Sequence, residues 1–147
     1  MSNTYSFLDV SASIVGPGGS FELGYGSGNA DEGITVAMVE AKNTMTTGAG
    51  GDVMHSLHAG KAGTITVALL KTSPTNAKLS ALYAAQSLSS ATWGNNVIVV
   101  RNSASNDLCS ARSVAFQKLP DWQNAKDGSI VSWVFDAGKI DQLLGTF

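Results

Sequence analysis

The chain has 147 residues, with nine Lys and Arg, eleven Asp and Glu, and a formal net charge of −2. An average chain of this length carries about 37 charged side chains, at roughly a quarter of all residues, so much of this surface is expected to be covered by other subunits, because interface cores are depleted in charge. The balance excludes the basic footprint of a tight nucleic-acid binder, no apolar run approaches the ~20 residues of a membrane helix, and a lone Cys109 excludes an internal disulfide or a cysteine-based metal framework. The length fits one domain over residues 1–147 with a sizeable core. The start, MSNTYSFLDV, lacks the basic segment and apolar stretch of a signal peptide, so the compartment expected is the cytoplasm.

In chain order, residues 5–15 alternate as a first strand. Residues 16–19, Gly-Pro-Gly-Gly, end it in a turn, since proline presets φ and glycine admits positive φ. A short strand over 21–23 leads into a glycine-rich loop, 24–33. Residues 34–42 read ITVAMVEAK, and the spacing predicts a strand running to about residue 46. Residues 43–57 form a long excursion tipped by Thr47, Gly48, Ala49, Gly50, Gly51 and Asp52. A strand follows over 62–71. Ser73 and Pro74 predict a helix start, and Leu79, Leu82, Tyr83 and Gln86 make the stripe of a helix over 74–88. The apolar run 97–100 predicts a strand buried on both faces. Strands over 108–119 and 129–136 follow, separated by Pro120 and the turn signal Asp127-Gly128. Residues 138–147 read as a tail with a short helical turn.

The fold class expected is therefore mainly β: a barrel or sandwich with one α-helix on the outside and a long hairpin excursion. Two strands carry the most specific information. Ile34, Val36 and Met38 share one face, as do Ile65, Val67 and Leu69. The opposite face carries Thr35, Ala37, Thr64, Thr66 and Ala68. Small neutral groups stand there where a solvated face would show Lys and Glu.

No catalytic constellation assembles. Gly24-x-Gly26-x-Gly28 precedes a strand-like segment, whereas a phosphate-cradling loop opens a helix. His55 and His58 lie three apart in a strand-and-turn segment with no third ligand. Cys109 has no local histidine to activate it. Glu22, Asp31, Glu32 and Glu40 read as solvated or channel-facing acids. No cofactor or metal is expected, and no enzymatic activity.

Five stretches carry a family resemblance in order: residues 3–10 (NTYSFLDV), 16–21 (GPGGSF), 55–74 (HSLHAGKAGTITVALLKTSP), 93–101 (WGNNVIVVR) and 126–139 (KDGSIVSWVFDAGK). Together they resemble the tail tube proteins of phiTE-like contractile-tailed bacteriophages, over nearly the whole chain. The resemblance implies a structural virion protein that assembles as hexameric rings stacked into a tube. Each subunit would give four strands to a continuous inner barrel, inside a contractile sheath. It implies as partners further copies of the chain, the tail sheath protein, and the tape measure and baseplate proteins. DNA would pass through the lumen without specific binding, and the particle would be assembled in the host cytoplasm. In that setting Thr35, Ala37, Thr64, Thr66 and Ala68 are expected on the lumen side, and the 43–57 excursion in contacts between rings. Two other readings stay open. One is the tube subunit of a bacteriocin or secretion-type contractile device. The other is a monomeric β-sandwich that binds a small ligand, with Ser, Thr and Asn on its surface.

Overall fold

A computed structural model describes residues 3–147, and Met1 and Ser2 of the expected domain lie outside the described residues. The strands are β1 (Val10–Gly16), β2 (Gly19–Glu22), β3 (Asn29–Met38), β4 (Asn43–Thr47), β5 (Val53–Leu57), β6 (Gly63–Leu70), β7 (Asn96–Asn102), β8 (Asp107–Lys118) and β9 (Ile130–Leu143). The helix α1 (Thr75–Gln86) lies between β6 and β7. Seven strands form one antiparallel sheet in the order β2-β1-β7-β8-β9-β6-β3, curled into a half-barrel. β4 and β5 pair only with each other. The protein is thus mainly β with one helix, as expected.

Alternation builds the core. Ile65, Val67 and Leu69 of β6 are fully buried, and their neighbours Thr64 and Thr66 are half-buried on the other face. Ile34 and Val36 pack against the same core from β3. α1 packs Leu79 and Leu82 into this core. Phe116 of β8 sits among four rings: Tyr83 at 5.5 Å, Trp93 at 6.4 Å, Trp133 at 5.9 Å and Phe135 at 4.9 Å between centroids. The Tyr83 and Trp133 contacts are edge-to-face, the arrangement that ring quadrupoles favour.

A buried polar pair fixes the helix on the sheet. Gln86 Nε2 donates to Asn96 Oδ1 at 2.6 Å and Asn96 Nδ2 donates to Gln86 Oε1 at 2.7 Å. The second protons go to the carbonyls of Pro17 and Val114, both at 3.1 Å. Both amides are fully buried, where an unpaired group would cost about 1–3 kcal/mol. A Cβ on Gly16 would stand 1.8 Å from Asn96 Oδ1, so only glycine leaves room for the pair.

Several boundaries differ from the sequence reading. The first strand starts at Val10, because the Ser6 hydroxyl accepts from Leu8 N and caps a 3-10 turn over Phe7–Asp9. β3 begins inside the expected glycine loop, its register shifting between Asn29 and Ile34, with Gly33 at φ +62 absorbing the irregularity. It ends at Met38, well short of residue 46. Ser73 is one residue too early to be the N-cap, a position that Pro74 holds. The Ser73 hydroxyl still accepts from Thr75 N at 3.2 Å and donates to the Ser27 carbonyl. β7 is buried on one face only, with Val97 37% exposed beside fully buried Ile98. The expected C-terminal helical turn is strand instead: β9 continues to Leu143, which pairs with Leu108.

Phe116→Ala is expected to lower unfolding stability by about 3–5 kcal/mol, the usual cost of removing a buried ring. The shift of the denaturant midpoint at constant slope measures it.

Candidate functional site

The outer face of the β3-β6-β9-β8 portion is the candidate site. In register, Ala37 lies opposite Thr64, Thr64 opposite Asp136, and Asp136 opposite Ala115. The next row runs Thr35, Thr66, Val134 and Lys118. Four of the five sequence-selected residues therefore form one adjacent block. Thr35 and Ala37 are exposed, and Thr64 and Thr66 half-buried. Ala68 shares the face by alternation, opposite Ser132, but is only 3% exposed and offers no surface in the subunit.

The only formal charges in those two rows are Asp136 and Lys118. Asp136 Oδ1 accepts from Gln117 Nε2 at 3.1 Å, which ties the carboxylate to the neighbouring strand. The sequence reading missed Asp136, Gln117 and Lys118, although their place in apolar-alternating strands was a usable signal.

Two strand edges bound this face. Among the described residues β3 pairs with β6 alone, leaving residues 34–38 with an unpaired side. β8 pairs with β7 only from Asp107 to Val114. Residues 115–118 therefore have β9 on one side and, among the described residues, no strand on the other. The reason is local: Arg112 and Ser113 together oppose the single residue Val97, with Ser113 at φ 53. That bulge turns the second half of β8 away from β7.

The 43–57 excursion is a free-standing hairpin. Its turn closes through Gly48 N to Asp52 O at 2.7 Å and Gly51 N to Gly48 O at 3.0 Å. The tip residues Thr47, Gly48, Ala49, Gly50, Gly51 and Asp52 are all exposed. The two histidines serve this hairpin separately: His55 Nδ1 lies 3.2 Å from Asn43 Nδ2, and His58 Nε2 2.7 Å from Thr44 Oγ1. At its base, Ile140 N donates to Lys61 O at 2.9 Å. Asp141 accepts from Lys61 at 3.2 Å and from Arg112 at 3.0 Å. Those two hydrogen bonds hold the Asp141 carboxyl below its ordinary value. Burial, then the Asp141 charge, pushes the Cys109 thiol up, so it is a poor nucleophile. The acids near in sequence are apart in the sheet: Glu22 lies on β2, while Asp31 and Glu32 lie on β3 at the other edge.

Residues 1–145 match the family model described as the Bacteriophage PhiTE tail tube protein. That family is structural, not enzymatic. No curated protein matches the chain. Among solved structures, the fold is similar to the sheath/tube terminator of an extracellular contractile injection system in the extended state, with a TM-score of 0.61, 11% identity, and 97% and 98% of the two chains covered. It is also similar to the tube-terminating cap of the anti-feeding prophage, at TM-score 0.55 and 11% identity over 99% and 95%. A sheath–tube complex of an extracellular contractile injection system gives 0.55 and 8% over 96% and 92%. At these identities the likeness is one of fold.

Asp141→Asn is expected to lower stability slightly at neutral pH, as befits an exposed pair. The native carboxyl has a depressed pKa, so its contribution is present above the unfolded value, near 3.9, and is lost as pH falls through the folded one. Denaturant midpoints of parent and variant at low salt should therefore converge in acid.

Proposed function

This chain belongs to the bacteriophage PhiTE tail tube protein family, and we propose that it assembles as hexameric rings stacked into a tube, the inner conduit for genome ejection inside a contractile sheath. The observation that carries the reading is the four-strand face, whose two rows hold only Asp136 and Lys118 as formal charges, with an unpaired edge on each side. Exposed edges are a liability in a free subunit. Placing residues 34–38 of one copy beside residues 115–118 of the next removes both edges at once. Six copies so joined close a continuous barrel lined by Thr35, Ala37, Thr64 and Thr66.

The chemistry of that lining suits passage. DNA is held by proteins that neutralise its phosphates with Lys and Arg. A wall of small hydroxyls and methyls, with Asp136 near Lys118, gives phosphates little to grip. The core and α1 lie on the other side of the sheet, so α1 faces outward, toward the sheath. The hairpin of β4 and β5 extends beyond the sheet and joins ring to ring. Tape measure and baseplate proteins complete the assembly, which forms in the host cytoplasm and ends in the virion tail. A second reading, the same subunit in a bacteriocin or secretion-type device, is favoured by the fold shared with injection-system tubes. Capsid and terminase genes beside this one would decide for the phage.

Negative-stain electron microscopy of the purified chain should show rings and tubes with a central channel. A variant lacking residues 48–51 should fold and form rings, yet make no long tubes; normal tubes would refute the stacking role. In assembled tubes, cysteine at Thr35 should react with a small maleimide that enters the channel and resist a large polymer-linked one. Equal labelling by both would place the face outside.

A further inference from the structure

The hairpin and the connection between β8 and β9 stand at opposite ends of the same strands. β6 begins at Gly63, beside Met38 and Ala137, where the hairpin leaves and returns. It ends at Leu70, opposite Ile130, where the 119–129 connection enters β9. From Gly63 to Leu70 is about 23 Å at 3.3 Å per residue.

Both ends expose apolar groups without a partner in the subunit. On the hairpin, Leu57 is 82% exposed, Met45 and Met54 60% and Val53 51%. Asp52 is the only formal charge among residues 43–57. At the other end Trp122 is 88% exposed, unusual for the residue type that buries most area. Lys71 Nζ donates to the Gln123 carbonyl and holds the loop with the indole outward. Beside it, a groove of about 250 Å³ runs between Leu119-Pro120 and Ile130-Val134.

We propose that rings stack through a heterologous contact in which the hairpin of one copy lays Met45, Val53 and Leu57, which share one face of the ribbon, against Trp122 and the Leu119–Ile130 groove of a second copy in the adjoining ring. The inference rests on the tube reading above. A hairpin-to-hairpin contact would be isologous and would stop at a pair, whereas opposite ends joined head to tail propagate without limit. The chemistry matches: the flexible Met45 thioether can fill an irregular groove and pack favourably on an aromatic ring. Tryptophan is among the residue types enriched at interface hot spots. The hairpin carries a single formal charge, Asp52 at its tip, so little ion desolvation opposes the contact.

The test is assembly of the full chain carrying Trp122→Ala or Trp122→Phe, followed by sedimentation and electron microscopy. With the indole exposed, both variants should unfold like the parent. W122A should still form rings, with the concentration threshold for tube growth raised roughly 30-fold or more, the effect of losing one interface hot spot. W122F should keep most tube growth. A second arm pairs Val53→Cys with Trp122→Cys and a short bismaleimide: tubes should yield ladders of linked subunits, and V53C alone should not. Parental thresholds and lengths in W122A, or no ladders from intact tubes, would overturn the contact while leaving the tube reading in place. If the parent forms no rings or tubes under any condition, even with a tail initiator, the tube reading falls and this inference with it.

Discussion

Phe116 is the contact on which the rest of the subunit hangs. Its ring touches Tyr83 of the helix, Trp93 of the turn that follows it, and Trp133 and Phe135 of the adjacent strand. One side chain thus joins the helix, its exit turn and the two longest strands of the sheet. Its neighbours Ala115 and Gln117 alternate to the opposite face, in the segment whose outer edge is unpaired. The core therefore anchors the strand end that a neighbour would have to recognise. The Gln86–Asn96 pair adds direction to this packing. Apolar contacts would let the helix slide, whereas four amide hydrogen bonds admit one position.

The two faces of the sheet obey different constraints. The inner one is filled to exclusion of solvent, with Ile65, Val67 and Leu69 fully buried. The outer one carries few charges, Asp136 and Lys118 in its two central rows, and is not apolar enough to collapse. Its small hydroxyl and methyl groups offer few charges to a phosphate backbone, in keeping with the proposed lumen. The same restraint in charge that makes the face smooth leaves the free subunit with unpaired edges and exposed apolar groups at both ends. In the proposed tube, both deficits would be removed by more copies of the same chain. The fold and the assembly are in this sense two parts of one burial problem.

The hairpin shows how the division works locally. It contributes no residue to the core, and its strands pair only with each other. Such a two-stranded ribbon is marginal in isolation. It is secured at its base by Lys61, through a backbone bond to Ile140 and an ion pair with Asp141. The anchoring lies at the root, and the apolar side chains are left beyond it for a partner.

Much of this was legible from local pattern. Period-two alternation in residues 34–38 and 63–70 identified the small-residue face, because side chains of a strand must alternate whatever their neighbours are. The helical stripe, the hairpin excursion and the deficit of charge were visible for similarly local reasons, and the ordered resemblance pointed to the family. Tertiary structure decided what depends on pairing between distant segments. It extended the last strand to Leu143 because β8 offered a partner there. It buried Ala68 and left Val97 half open, since alternation names a face without saying what covers it. It freed the edge of residues 115–118 through a bulge at Ser113, and it set Trp122 at the far end of the strands from the hairpin. Periodicity in one segment reports which side chains share a face; only the folded sheet determines which edges and ends remain unfilled.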